Sequence, residues 1–262
     1  MDFRVLGACA AAVLVLVVAV WALSVRLRDA SIVDIIWGFG FVVIAWVARW
    51  TAHGVSPRQW LLVACTSIWG LRLSAYLFWR NHGKGEDFRY RAMRKKHGER
   101  FPIISLRTVY LTQGLMMLIV SLPVQLGQMA DRPVQLGPLA WVGLAVWAVG
   151  LGFETIGDAQ LARFKARPDA AGQVMDRGLW SWTRHPNYFG DACVWWGLFL
   201  IAAETRVGLL SVVGPVAMTV LLIRVSGIPM LEKTIGRRRP GYAQYVERTS
   251  AFFPRPPRRP RH

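Results

Sequence analysis

GLWSWTRHPNYFGD, residues 178–191, runs into the apolar segment ACVWWGLFLIAA ending at Ala203, and this stretch decides how the chain is read. Proline at a first helical position loses no hydrogen bond and presets the backbone, so a helix starts at Pro186 and continues through the apolar run. A helix start carries unpaired N–H groups and a partial positive charge. With Arg184 and His185 just before it, the spot suits phosphate or carboxylate. On the plainer reading, Arg184 and Tyr188 anchor a transmembrane helix at headgroup level. Both readings put the segment at a membrane surface.

The rest of the chain agrees. With 54% hydrophobic residues and 13 Trp in 262 residues, so much apolar surface has no soluble interior to fill. A bilayer core requires spans of roughly 20 residues, and seven are read, at about 6–25, 31–50, 58–80, 105–127, 138–158, 186–204 and 207–226. The expected fold is all-α, a polytopic membrane protein with about seven transmembrane helices and one membrane domain over residues 1–262. The first span lacks a convincing cleavage site and reads as a retained helix.

Charge sets the orientation. One face collects Arg26 and Arg28, eight Lys/Arg from Arg80 to Arg100, five from Arg163 to Arg184 and ten from Arg224 onward. The other face holds Arg4, Arg49, Arg58, Arg132 and Arg206. Such asymmetry predicts an N-terminus outside and a C-terminus in the cytoplasm. Attraction to anionic lipid accounts for most of the +17 net charge, so membrane lipid is an expected partner and nucleic acid is not. The basic, Pro-rich tail, residues 255–262, reads as lying outside the fold. Cys9, Cys65 and Cys193 fall inside spans without metal-ligand spacing, so neither a disulfide framework nor a metal site is expected.

Ionisable groups inside spans are expensive and usually face the protein interior or a water-filled cavity. Asp34 lies in the second span. Arg72 and Tyr76 lie four apart on one face of the third. An Asp34–Arg72 pair between neighbouring helices would offset the desolvation of both. Glu154 and Asp158 are again four apart, with Lys165 seven further on; they either accept from a cofactor or pair with Arg163, Lys165 or the basic loops. The loop 81–104 sets Glu86 and Asp87 among seven Lys/Arg after Arg80, which suits either a polyanionic cofactor or a lipid-facing surface. Tyr242 and Tyr245 mark a short segment folding back onto the membrane, and Glu232 follows the last span. No GxGxxG after a strand and no GxxxxGK[ST] occurs, so any nucleotide is bound by helices and loops.

FETIGDAQLARFK, GLWSWTRHPNYFGDACVWWG and RPGYAQYVERTSAFFP, in that order, resemble the C-terminal region of the steroid 5-alpha-reductase superfamily, and most closely its bacterial group of reductase-like membrane proteins. The likeness is strongest over about 150–254; with SIVDIIWG and WGLRLSAYLFWR it covers about 31–254. RHPNY alone is less specific, since isoprenylcysteine carboxyl methyltransferases carry a similar run. The resemblance implies a membrane reductase that uses NADPH to reduce a carbon–carbon double bond in a hydrophobic substrate, a steroid-like, isoprenoid or fatty-acyl enone. It implies cofactor contacts from Asp158 and Asn187, with Glu154, Lys165, Arg184, His185, Tyr188 and Asp191 around them. Asp34 falls where these reductases carry a catalytic glutamate.

The departures are specific. Lys165 stands where the family has arginine and loses the bidentate fork. Glu154 replaces an asparagine. The family's tyrosine falls at Trp69, whose indole offers only a weakly acidic N–H, so Tyr76 is the expected substitute acid. Two rival readings stand beside the reductase: an S-adenosylmethionine-dependent membrane methyltransferase, with Arg184 and His185 near the methionine carboxylate, and a lipid-binding protein of the same fold without turnover.

Overall fold

The computed structural model describes residues 3–133, 135–225, 227–236 and 239–257; the last five residues of the basic tail lie outside them. Its α-helices are α1 (Phe3–Leu27), α2 (Ile32–Thr51), α3 (Pro57–Asn81), α4 (Phe88–His97), α5 (Phe101–Ser105), α6 (Thr112–Val120), α7 (Leu122–Gln128), α8 (Pro138–Lys165), α9 (Leu179–Trp182), α10 (Pro186–Ala202), α11 (Arg206–Leu209), α12 (Val213–Val220), α13 (Ile228–Ile235) and α14 (Tyr242–Arg248). Among the described residues the extended pairing found is an isolated Thr183–Ser250 bridge. Among the described residues, six helical segments are long and apolar enough to cross a membrane: Phe3–Leu27, Ile32–Thr51, Pro57–Asn81, Phe88–Val120, Pro138–Lys165 and Arg206–Lys233. The chain is an all-helical, polytopic integral membrane protein. The expected sixth span, 186–204, is helical as α10 but, at 17 residues, is not among these six.

The fourth span departs most from its expected bounds. The loop read over 81–104 is helical from Phe88, because Asp87 caps α4 by accepting from the Arg89 amide at 2.9 Å and Arg, Lys and Met are good helix formers. Gly98, at φ 53°, interrupts the helix, and the chain resumes at Phe101 to reach Val120.

The chain divides into two compact units, Met1–Trp141 with Leu198–Gly214, and Val142–Gly197 with Pro215–His262. In the first, α2 and α3 pack with Gly38 and Gly70 each against the other's carbonyl, where a Cβ would collide. Without a hydrophobic drive between helices in lipid, such close backbone approach is what holds them. Phe41 packs edge-on against Trp37 at 5.3 Å and Trp69 at 5.5 Å, filling the interface above this crossing. At the far end of α2 and α3, Ser56 and Gln59 form a reciprocal cap at the start of α3. Gln59 and Gln128 exchange side-chain donors to each other's carbonyls at 2.7 and 2.8 Å. Arg58, counted among the loop charges by its sequence position, is fully buried and donates to the carbonyls of Ala130 and Pro133 just beyond α7.

In the second unit α8 and α10 run antiparallel with glycines in register. Gly143 lies against Gly197, and Gly150 against Gly190, where added methyls would stand 2.6 Å from the opposing carbonyls. One heptad further along α8, Gly157 meets Pro186, the first residue of α10. The seven-residue repeat keeps small residues on the contact face for two full heptads.

Candidate functional site

The α8–α10 crossing positions the residues that the resemblance singled out. Glu154 is buried, with its side chain 2.9 Å from where a Cβ on Gly190 would lie. Asp158, one turn further along α8, is also buried. Asn187 and Asp191 are half-buried on α10, and the Asn187 amide comes close to Gly157. Three carboxylates and a carboxamide are thus brought to one helix crossing. Lys165, at the end of α8, is exposed.

Beside them, the RHP turn is joined to the C-terminal segment. Arg184 grips Glu232 of α13 with two nitrogens, at 2.8 and 3.2 Å, and donates to the carbonyls of Val246 and Thr249 at 3.2 and 2.6 Å. His185 meets the same Glu232 oxygen at 3.0 Å and stacks on the Tyr188 ring, 8° from parallel. The Thr183 hydroxyl donates to the Phe252 carbonyl at 2.9 Å, and the Tyr245 phenol to the Trp180 carbonyl at 2.5 Å. Phe189 packs edge-on against Phe153, Phe252 and Phe253. Burial first, and then the nearby Glu232 charge, push the Tyr242 phenol up to about 12. The anion that occupies Arg184 and His185 in this structure is therefore the chain's own Glu232.

Asp34, in the first unit, opens α2 and is held from α4. Its two oxygens accept from Arg89 at 2.7 Å and from the Tyr90 phenol at 2.8 Å. Around this couple, Arg89 also reaches Asp87 at 2.9 Å, while Glu86 accepts from the Ala30 amide at 2.8 Å and from Arg94 at 2.7 Å. Burial opposes ionisation of Glu86 and Asp87, but the hydrogen bonds from Arg94 and Ala30, and from the Arg89 side chain and amide, outweigh it and hold both below the usual carboxylate range. A small cavity of about 180 Å³ opens alongside, lined by Asp29, Ser31, Ile35, Phe78, Asn81 and His82. Tyr76 is half-buried on α3, its ring against Trp79 and under the Arg80 guanidinium at 5.7 Å. Trp69 is fully buried.

Tyr90 and Arg89 were absent from the sequence-derived site. The signal available was their position three and two residues after Asp87, a strong N-cap type that starts a helix and aims its first turn back at α2. Among the described residues no cluster of His, Cys, Asp and Glu has the arrangement to hold a metal ion.

A family described as a protein of unknown function, DUF1295, matches residues 20–249. The chain belongs to this family. The match takes in Asp34, Tyr90, the α8–α10 crossing and the Arg184–Glu232 couple, and stops before the tail. An uncharacterised protein of Schizosaccharomyces pombe is 22% identical over 262 residues, covering 90% of this chain and 75% of the yeast protein. No solved structure matches the chain.

Proposed function

We propose that the chain is an NADPH-dependent membrane reductase, related to the steroid 5-alpha-reductases, acting on a carbon–carbon double bond conjugated to a carbonyl in a hydrophobic substrate. The observation that carries the reading is the Tyr90 phenol donating to Asp34 at 2.8 Å. It supplies the acidic O–H that Trp69 lacks, and it takes the role first given to Tyr76. As negative charge develops on the substrate oxygen, Tyr90 donates its proton there, Asp34 orients the phenol, and the Arg89 guanidinium balances the charge left on the phenolate.

When bound, NADPH supplies the hydride that adds at the β-carbon. The donor set suits that cofactor: carboxylates accept from ribose hydroxyls and a carboxamide N–H, and Glu154 and Asp158 are carried, with Asn187 and Asp191, on two helices locked by their glycine crossing. Lys165 supplies positive charge toward phosphates. Arg184, His185 and Tyr188 hold the loop that precedes α10, and so set where Asn187 stands. The C-terminus faces the cytoplasm, where this cofactor is available, and the membrane is a bacterial inner membrane.

The test is calorimetric titration of the detergent-solubilised protein with NADPH, NADH and S-adenosylmethionine. NADPH binds in preference to NADH, and Asp158→Ala and Asn187→Ala each weaken it. Binding of adenosylmethionine with no nicotinamide binding would replace the reductase by a methyltransferase.

A further inference from the structure

We infer that α4 is a binding surface for anionic lipid headgroups. This helix carries six Lys/Arg/His side chains besides Tyr90, and its two faces use them differently. One face holds Arg89, Tyr90, Met93, Arg94 and His97, all less exposed than the opposite face or engaged with acids: Arg89 with Asp34 and Asp87, Arg94 with Glu86. The Arg94 guanidinium also lies 4.3 Å from the centroid of the Phe101 ring. The other face presents Arg91, Ala92, Lys95 and Lys96, all exposed. Arg100 follows, exposed, in the turn after Gly98, with exposed Glu99 beside it. None of Arg91, Lys95, Lys96 and Arg100 makes an ion pair with a described acid.

This arrangement is unfavourable in water alone. Arg91 and Lys95 are four apart and repel each other on the helix surface, while the acids that neutralise α4 lie on its inner face. A layer of phosphates on the outer face relieves the repulsion. The place fits: α4 leads, through the turn at Gly98, into the apolar part of the same segment from Phe101 to Val120, where Ile103 is already exposed for lipid contact. Only the turn at Gly98 and the start of α5 lie between Lys96 and Ile103, which keeps the outer-face cations close to the headgroup layer. Phe88, also exposed, adds an apolar contact at the start of the helix. Because Arg89 and Tyr90 on the inner face hold Asp34, the lipid-facing helix is the same one that positions that carboxylate.

The experiment uses the full chain in phosphatidylcholine vesicles containing some phosphatidylglycerol, and reads energy transfer from protein tryptophan to dansyl-labelled lipid of either type. Each Lys or Arg near an anionic surface contributes about fivefold. Wild-type protein enriches labelled phosphatidylglycerol over labelled phosphatidylcholine, and Arg91→Gln/Lys95→Gln/Lys96→Gln lowers that ratio several-fold. High salt abolishes the wild-type preference. Arg26→Gln/Arg28→Gln, which removes two exposed cations elsewhere, changes it much less. Circular dichroism of the triple variant in pure phosphatidylcholine stays that of wild type, since the substituted face supports no packing. An unchanged lipid ratio in the triple variant, an equal loss in the Arg26/Arg28 variant, or competition by millimolar inorganic phosphate would overturn the assignment. Loss of NADPH binding with lipid preference intact would show that the face clamps a cofactor instead. None of these readouts depends on turnover.

Discussion

Two arginine–carboxylate couples, one in each unit, are built from the same chemistry and differ in burial. Arg89 and Asp34 meet with side chains 42% and 25% exposed, whereas Arg184 is 9% exposed where it grips Glu232. Arg89 has solvent on one side. Arg184 spends its remaining donors on two backbone carbonyls of the C-terminal segment. The Arg184 couple is a clasp that fixes how the C-terminal segment packs, and the Arg89 couple holds Asp34, beside the buried Tyr90, from a guanidinium with solvent on one side. The difference lies in the guanidinium, since the two carboxylates, Asp34 and Glu232, are 25% and 24% exposed.

Breaking the clasp is expected to have the largest effect. Arg184→Gln leaves Glu232 with His185 but without its two-nitrogen guanidinium partner, leaves two carbonyls short of a donor, and is expected to cost about 3 kcal/mol, read as a fall in the thermal midpoint in detergent. Adding Glu232→Gln recovers part of the loss. If both variants unfold like wild type, the couple is no clasp and the contrast collapses.

The glycine crossing comes next. Gly150→Ala forces a methyl to 2.6 Å from the Gly190 carbonyl, at an expected cost of about 1–3 kcal/mol. Gly152→Ala, two residues away with open space around its Cβ, has the opposite sign and gains up to about 1 kcal/mol from helix propensity. Equal effects at the two positions would mean that α8 and α10 do not cross as described.

At the half-exposed couple the structural effect is smaller and the chemical one larger. Tyr90→Phe removes one hydrogen bond and is expected to cost about 1 kcal/mol. With a substrate in hand, Tyr90→Phe and Asp34→Asn abolish turnover while NADPH binding persists. A fully active Tyr90→Phe protein would move the acid elsewhere, with Tyr76 the next residue to test.

The smallest effect is a pH dependence. Glu86 and Asp87 ionise more readily folded than unfolded, so their stabilisation is complete above the unfolded carboxylate range, about pH 4, and is lost as pH falls through their lower folded values. The thermal midpoint should drop below about pH 4, and Glu86→Gln should flatten part of that drop. A Glu86→Gln profile that overlays wild type would show that the α4 latch carries no net stability.

Much of this was legible in the chain. Apolar runs of bilayer length gave the membrane class, and Pro186 marked the start of α10. The four-residue spacing of Glu154 and Asp158 put both on the buried face of α8. Seven spans were read where six segments have full length and hydropathy, because the apolar run after Pro186 is interrupted at Glu204 and Thr205. Thr205 there caps α11 by accepting from the Gly208 amide at 2.9 Å. Tyr90, which donates to Asp34, did not stand out beside Tyr76 because sequence spacing shows which residues share a helix and is silent about which helices meet.

Composition and period by themselves determined that this chain is helical and lies in a membrane, since those properties depend on transfer energies and backbone periodicity that are local to each segment. Only the tertiary structure decided that a charge-rich stretch read as loop is a helix clamping Asp34, and that Arg184 holds Glu232 and the C-terminal carbonyls. Those pairings join residues about 50 or more apart in sequence, and long-range contacts follow from how glycine crossings and caps bring segments together, which no local pattern encodes.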